Sequence, residues 1–491
     1  MSGPARPTVV DLFCGAGGFS LGFSAAGCEI IAGADSDEAA AETFRHNFTR
    51  LQPGAAPRVH GGADEGNLEE LDFAHIADRR PDILIGGPPC QGFSRIGRAK
   101  LDSILEDAGE EGSFADDPRN DLYRRFLDAA EFWKPSVVVM ENVPGMMSVK
   151  GINVADHAGW ELGKRGFRVG YAVLNAVWYG VPQFRERLFL IGVSREVGGE
   201  PELPVPTHIA DLPSGYLRPR EFQTIPLAFV DHYELAMPQA LRDAQAATTV
   251  GEALDDLPVL TAHLEDDRRR VRRGGGRSSM PGESRYPAAG DALHDALPYR
   301  TRPHSDYARL MRRWPGFEES AGVTEHAIRR TPRDYETFRR MKPEDRYPEA
   351  LVIARRRFYE AHDRLAAEGR APALGSPRYA ELERSIIPPY PVEIFVDKWR
   401  KLSGAKPSWT IPAHLAKDAY SHIHHDSEQA RAVSIREAAR IQSFPDAFRF
   451  TGNMGDCYRQ VGNAVPPLLA WHLAAIALKC MGVSARPPRM G

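Results

Sequence analysis

The first two hundred residues alternate short apolar runs with segments of helical spacing, and this alternation limits the possible folds more than any other feature. Residues 9–13, 29–34, 82–85, 136–140, 169–174 and 187–193 read as strands. Residues 19–26, 36–47, 121–133 and 154–165 read as helices between them, with Ser36 as an N-cap. Apolar strands joined through helices predict a parallel sheet covered on both faces. Ligands of such sheets bind beyond the carboxyl ends of the strands.

A chain of 491 residues has room for two or three domains, and 42% hydrophobic residues supply a sizeable core. No apolar run is long enough to span a bilayer, so no membrane partner is expected. The segment before residue 8 leads straight into a strand and reads as no secretory signal. Cys14, Cys28, Cys90, Cys457 and Cys480 form no CxxC pair, which argues against a disulfide framework and a structural zinc site and for a reducing cytoplasm.

A net charge of −4 does not announce a nucleic-acid binder, yet arginine runs crowd the middle third. They include Arg268-Arg269-Arg270, Arg312-Arg313, Arg329-Arg330, Arg339-Arg340 and Arg355-Arg356-Arg357. Acidic residues are interleaved, so each run alone reads as a salt-bridged surface; their repetition suits phosphate contacts. Near residue 200 prolines arrive in quick succession and mark a change of texture. Short helices are expected at 335–341 and 349–368. Regular structure returns with helices at 434–442, capped by Ser434 with Glu437 in a capping box, and 468–478. The expected organisation is a first domain over 1–200, an inserted domain over 201–449, a returning segment over 450–482 and a tail over 483–491.

Five constellations carry chemistry. Asp11-Leu12-Phe13-Cys14-Gly15-Ala16-Gly17-Gly18 is a glycine turn between strand and helix, where a ligand can approach backbone N–H groups or the chain can simply turn tightly. The third glycine of the dinucleotide pattern GxGxxG is absent, which points to an adenosine-bearing cofactor other than NAD. Asp35 ends the second strand, where a carboxylate can hold ribose hydroxyls. Gly86-Gly87-Pro88-Pro89-Cys90-Gln91-Gly92-Phe93-Ser94 follows a buried strand and presents a thiol on a stiff turn. A lone cysteine is more often a small buried hydrophobe, but this placement suits a nucleophile. Glu141-Asn142-Val143 follows a neighbouring strand and can bring a carboxyl to the same edge. Arg185 and Arg187 alternate, so both project to one side and can clamp a phosphate or carbonyl. Gly462-Asn463-Ala464-Val465-Pro466-Pro467 reads as a turn into the last helix.

In order, DLFCGAGG, GGPPCQGFS, ENVPG, QFRER, the run from Arg431 through SIREAARIQSFPD, and GNAVPP resemble the DNA (cytosine-5)-methyltransferase family over about residues 8–195 and 400–480. The resemblance implies a Rossmann-like class I methyltransferase α/β sheet with helices on both faces, plus an inserted irregular target-recognition domain. It implies S-adenosyl-L-methionine as cofactor and double-stranded DNA as partner, in a bacterial cytoplasm, beside a cognate restriction endonuclease or another defence partner. Cys90 would add to C6 of a flipped cytosine, and Glu141 would contact N3 and the exocyclic amine. Arg185 and Arg187 would hold the base and its backbone. Phe13, Gly15, Gly17, Gly18, Asp35, Asp64, Pro88, Asn463 and Val465 would line the cofactor pocket. Gln91, Ser94 and Arg95 would meet DNA. An RNA-directed relative and a catalytically silent DNA-binding regulator are the rival readings.

Overall fold

The computed structural model describes residues 6–89, 122–148, 153–216, 232–234, 244–264, 295–317, 321–396, 398–486 and 488. The strands are β1 (Thr8–Leu12), β2 (Glu29–Asp35), β3 (Arg58–Gly61), β4 (Ile83–Gly86), β5 (Val137–Asn142), β6 (Phe167–Asn175), β7 (Gln183–Phe184), β8 (Glu186–Ser194) and β9 (His232–Glu234). All but β7 form one eight-stranded sheet in the order β9-β6-β8-β5-β4-β1-β2-β3. β1 pairs in parallel with both β2 and β4, so the order reverses direction there and opens a crevice at the strand ends.

The wholly parallel sheet expected from the alternation needs correction. β8 runs antiparallel to both β5 and β6, which makes the sheet mixed. The link from β6 to β8 is about ten residues with no crossover helix, too short to return the chain for parallel pairing. This reversal brings the first residues of β8 to the edge where β5 ends.

Successive strand residues face opposite sides, as the pleat requires. Val9, Ile83, Ile85, Val139 and Ile191 enter one core, whereas Val10, Leu12, Leu84, Val138 and Leu190 enter the other. The first core is covered by α1 (Gly18–Ala26) and α2 (Glu38–Leu51), the second by α3 (Leu122–Trp133) and α4 (Val154–Lys164). The N-cap of α2 is Asp37 rather than Ser36: its carboxylate accepts from the N–H groups of Ala39 and Ala40.

The later chain supplies α5 (Asp306–Arg312), α6 (Tyr335–Arg340), α7 (Tyr347–Ala367), α8 (Pro377–Ile386), the short strand β10 (Ser408–Trp409, paired with β7), α9 (Ile435–Ile441), α10 (Met454–Asn463) and α11 (Pro467–Cys480). Ser434 and Glu437 form the expected capping box. A separate small core gathers Tyr335, Phe338, Tyr347, Trp399 and Ile423. Val250, Leu254, Tyr307, Leu402, Ile435 and Phe448 instead join the core of the sheet. Pieces of the expected 201–449 insertion thus share the core of the sheet.

Buried ion pairs tie α9 into this core. Arg440 meets Asp256 (3.0 Å) and Asp446 (2.5 Å), and Arg431 grips Glu437 through two nitrogens (2.7 and 2.6 Å), all fully buried. The run 454–480 is apolar enough to cross a membrane by length and composition, but 72% of its apolar window is buried inside the protein.

Candidate active site

The carboxyl edge of the sheet gathers most of the residues singled out above. Phe13, just past β1, has φ 59°, a left-handed conformation that costs a side-chain-bearing residue about 1–2 kcal/mol. Cys14 N donates to Ala34 O (3.0 Å) and Gly15 N donates to the Asp35 carboxylate (2.8 Å), which pins the turn to the end of β2. The three glycines have different roles. A Cβ on Gly17 would lie 2.6 Å from the Phe48 ring, and one on Gly18 would lie 2.4 Å from Val465 O. Those two positions permit close packing. A Cβ on Gly15 would meet nothing within 4 Å, so this is where a ligand can reach the backbone.

Asp35 also accepts from Asp37 N at 2.8 Å. Burial raises its pKa, and the two backbone N–H groups oppose that rise. A carboxylate has about four acceptor sites, so two remain for hydroxyls. Asp64 is exposed on the helical turn Gly62–Glu65, and Gly66 after it packs against Asp35 O. Asn463 is not in a turn: it is the exposed last residue of α10. Arg459, one helical turn earlier, donates to Asp37 (3.0 Å) and holds α10 beside the start of α2. These residues fit a cofactor carrying hydroxyls and a group that approaches backbone at Gly15.

The second half of the site lies across β4, β5 and β8. Glu141 is within β5 rather than after it, and only 9% exposed. Its Oε1 lies 2.8 Å from Arg187 Nε at the start of β8. Burial raises the Glu141 pKa, while the charges of Arg187 and Arg185 pull it down. Gly87 passes so near this carboxyl that an added Cβ would lie 3.1 Å from Oε2. Asn142 Nδ2 donates to Pro88 O (3.3 Å), which ties the turn after β4 to the end of β5. Cys90, Gln91, Ser94 and Arg95 lie outside the described residues.

Arg185 is placed differently from the phosphate clamp expected. It is fully buried, and its guanidinium donates to Ile411 O (3.1 Å), Gly462 O (2.8 Å) and Ala464 O (3.1 Å). It fastens the returning chain to β7. The two arginines alternate in sequence, but Arg185 follows the short β7 and only Arg187 lies inside β8. The arginine runs divide likewise. Arg312 is buried on Asp256 (2.5 Å) and Arg340 is shared by Glu336 and Glu360, whereas the Arg356 side chain is 81% exposed. Residues 268–273 lie outside the described residues.

Sequence reasoning missed Asn142, Asp37 and Arg459 as organisers of the edge. Asn142 stood inside a quoted motif; the other two are joined across more than 400 residues, and no local pattern signals that.

A crevice between β1 and β4, a glycine turn pinned to Asp35 and a reversed strand beside β5 define a Rossmann-like methyltransferase fold. The model of the C-5 cytosine-specific DNA methylase family matches residues 7–257 and 321–479. The chain belongs to that family and is a DNA (cytosine-5)-methyltransferase. It is 36% identical over 480 residues to M.OihORF3336P of Oceanobacillus iheyensis, which bears a type II methyltransferase name, covering 95% of this chain and 94% of that one. It is 29% identical over 490 residues to the type II methyltransferase M.AgeI of Thalassovita gelatinovora, covering 95% and 97%. A solved Escherichia coli structure named as a prophage-encoded DNA modification methyltransferase shares the fold, with a TM-score of 0.58 at 18% identity, over 97% of this chain and all of that one.

Proposed function

We propose that this methyltransferase acts on cytosine within a specific duplex sequence through a covalent adduct between Cys90 and C6 of the base. The observation that carries the reading is the Glu141–Arg187 pair at 2.8 Å beside the turn that leads to Cys90. C5 of a stacked cytosine is inaccessible, so the base leaves the helix at a cost of about a few kcal/mol. The Cys90 thiolate adds to C6 as N3 is protonated or hydrogen-bonded by the Glu141 carboxyl, which burial inclines to keep its proton. Arg187 fixes that carboxyl. S-adenosyl-L-methionine, when bound, supplies the methyl group taken by C5. Loss of the C5 proton to a base and departure of Cys90 restore the ring.

The open side of Gly15, the Asp35 carboxylate and the nearby Asp64, Pro88, Asn463 and Val465 support a pocket for that cofactor. The small core around Trp399 and the exposed arginines of α7, Arg355 and Arg356, support DNA contact by the inserted part. The type II names of the relatives support a role beside a cognate restriction endonuclease in a bacterial cytoplasm.

The test is a mechanism-based trap. With cofactor and duplex DNA carrying 5-fluorocytosine in its target, the enzyme forms a stable adduct that Cys90→Ser abolishes. Absence of adduct on DNA that the enzyme demonstrably binds would favour a silent binding protein. Methylation of transfer RNA in preference to duplex DNA would favour the RNA-directed reading.

A further inference from the structure

We propose that an open cleft between α2 and the segment 449–451 binds a phosphate-bearing anion. The cleft has a volume of about 480 Å³ and is lined by His46, Arg50, Thr324, Arg449, Phe450 and Thr451. That size is in the range of small-molecule sites, roughly 300–1,000 Å³. It lies apart from Glu141 and Gly15, none of whose neighbours line it.

The walls are rigid. Asn47 exchanges two hydrogen bonds with the backbone of Arg449 (2.7 and 3.0 Å), and Thr451 N donates to Thr43 Oγ1 (2.8 Å). His46 and Arg50 are one helical turn apart on α2, so they project together. Both are exposed, and among the described residues Arg50 is paired with no carboxylate. Arg449 brings a second guanidinium from the opposite wall. Its Nη1 is buried without a hydrogen-bond partner and lies 3.7 Å from Glu325 Oε2, beyond hydrogen-bond reach. Glu325 is already engaged by the buried Arg436, so its charge is shared. Thr324 Oγ1 is a second buried atom without a partner.

Unpartnered buried donors are rare and costly, about 1–3 kcal/mol each. Here two meet at one cleft with a free cation beside them. Glu325, which positions this wall, has φ 61°, a strained conformation for a side-chain-bearing residue and one that clusters at functional sites. Burial pushes the Arg449 guanidinium below its ordinary pKa; Glu325 opposes this, while Arg436 and Arg50 add to it. An anion accepting from Arg449, Arg50 and the Thr324 hydroxyl removes both deficits, whereas the Thr451 hydroxyl already donates to Ala39 O (2.9 Å). A phosphate suits the site because it accepts from several directions at once. It has two possible sources, a free nucleotide or phosphate, and the backbone of DNA.

Isothermal titration of the full chain with pyrophosphate, and duplex binding across a salt series, separate the sources. The wild type is expected to bind pyrophosphate saturably, and Arg50→Gln to bind it about tenfold or more weakly, as for loss of one charge-assisted contact. Arg449→Gln should do the same; the exposed Arg50 change guards against a folding defect in that variant. A fall of about one in the salt slope of duplex binding for Arg50→Gln, with Lys134→Gln on the other face of the sheet unchanged, assigns the site to the DNA backbone. Lost pyrophosphate binding with an unchanged slope assigns it to a free anion. If pyrophosphate does not bind saturably and neither arginine variant alters the slope, the proposal is wrong. None of these readouts requires methyl transfer, so they stand apart from the trapping experiment.

Discussion

Arg187 Nε lies 2.8 Å from Glu141 Oε1, across two adjacent antiparallel strands, while Arg185, two residues earlier, faces backbone carbonyls of the returning chain. Neighbouring arginines of one motif therefore have separable roles. Arg187→Ala is expected to fold normally and to slow methyl transfer. Arg185→Ala leaves three buried carbonyls without their donor, at about 1–3 kcal/mol for each one left unsatisfied. It should lower the thermal midpoint sharply. Melting curves and single-turnover rates for the two variants check this; equal melting points would show that Arg185 does not hold the segment.

Glu141→Gln preserves shape and removes the acid. Methyl transfer should slow by on the order of 10²-fold or more, as for loss of a positioned proton donor, with cofactor affinity retained. Rates equal to wild type would remove Glu141 from the chemistry.

The glycines of the turn after β1 should respond unequally to alanine. Gly18→Ala meets the Val465 carbonyl and Gly17→Ala meets two phenylalanine rings, so both lose stability. Gly15→Ala meets no protein atom, and the strain of a positive φ costs about 1–2 kcal/mol. Its main effect should be weaker S-adenosylmethionine binding. Titration calorimetry beside denaturation distinguishes the two behaviours; unchanged affinity in Gly15→Ala would place the ligand elsewhere.

Asp11 sits beneath the same turn, 1% exposed, with Ser20 Oγ donating to it at 2.7 Å. Burial pushes its carboxyl up to about 8, against the Ser20 bond and with help from Asp35. The native state then keeps a proton that the unfolded chain releases near pH 4. This contribution is complete below about pH 4 and lost progressively as pH rises towards about 8. Asp11→Asn, which cannot ionise, should lose less stability than wild type between about pH 5 and 8. Urea unfolding at both pH values measures it; parallel losses would mean that Asp11 is ionised in the native protein.

Arg440→Leu leaves Asp256 and Asp446 buried with diminished compensation. A destabilisation of about 3–5 kcal/mol is expected for breaking such a network. Chemical denaturation checks the magnitude, and a loss below about 1 kcal/mol would show that the network relaxes.

Local pattern made much of this legible. Six of the eight strands of the sheet, the capping box at Ser434 and the placement of Asp35 follow from hydrophobic periodicity and turn chemistry, because those signals are contained within a dozen residues; the short β3 and β9 carried no such signal. The reversal of β8 was not legible, since strand polarity depends on how the chain crosses the sheet rather than on which residues it carries. Nor were the burial of Arg185 or the bonds of Arg440 to Asp256, 184 residues away. A guanidinium reads the same in sequence whether it meets solvent, a carboxylate or a carbonyl. Asp37 outcompeted Ser36 as helix cap by one residue, a difference that capping preference alone cannot resolve.

The contact between Gly18 and Val465 spans almost the whole polypeptide. During translation the glycine turn emerges early, but the wall behind it is made only hundreds of residues later. A ribosome-bound fragment can build strands without enclosing a cofactor. The packing of the glycine turn against that valine is therefore completed only near the end of synthesis.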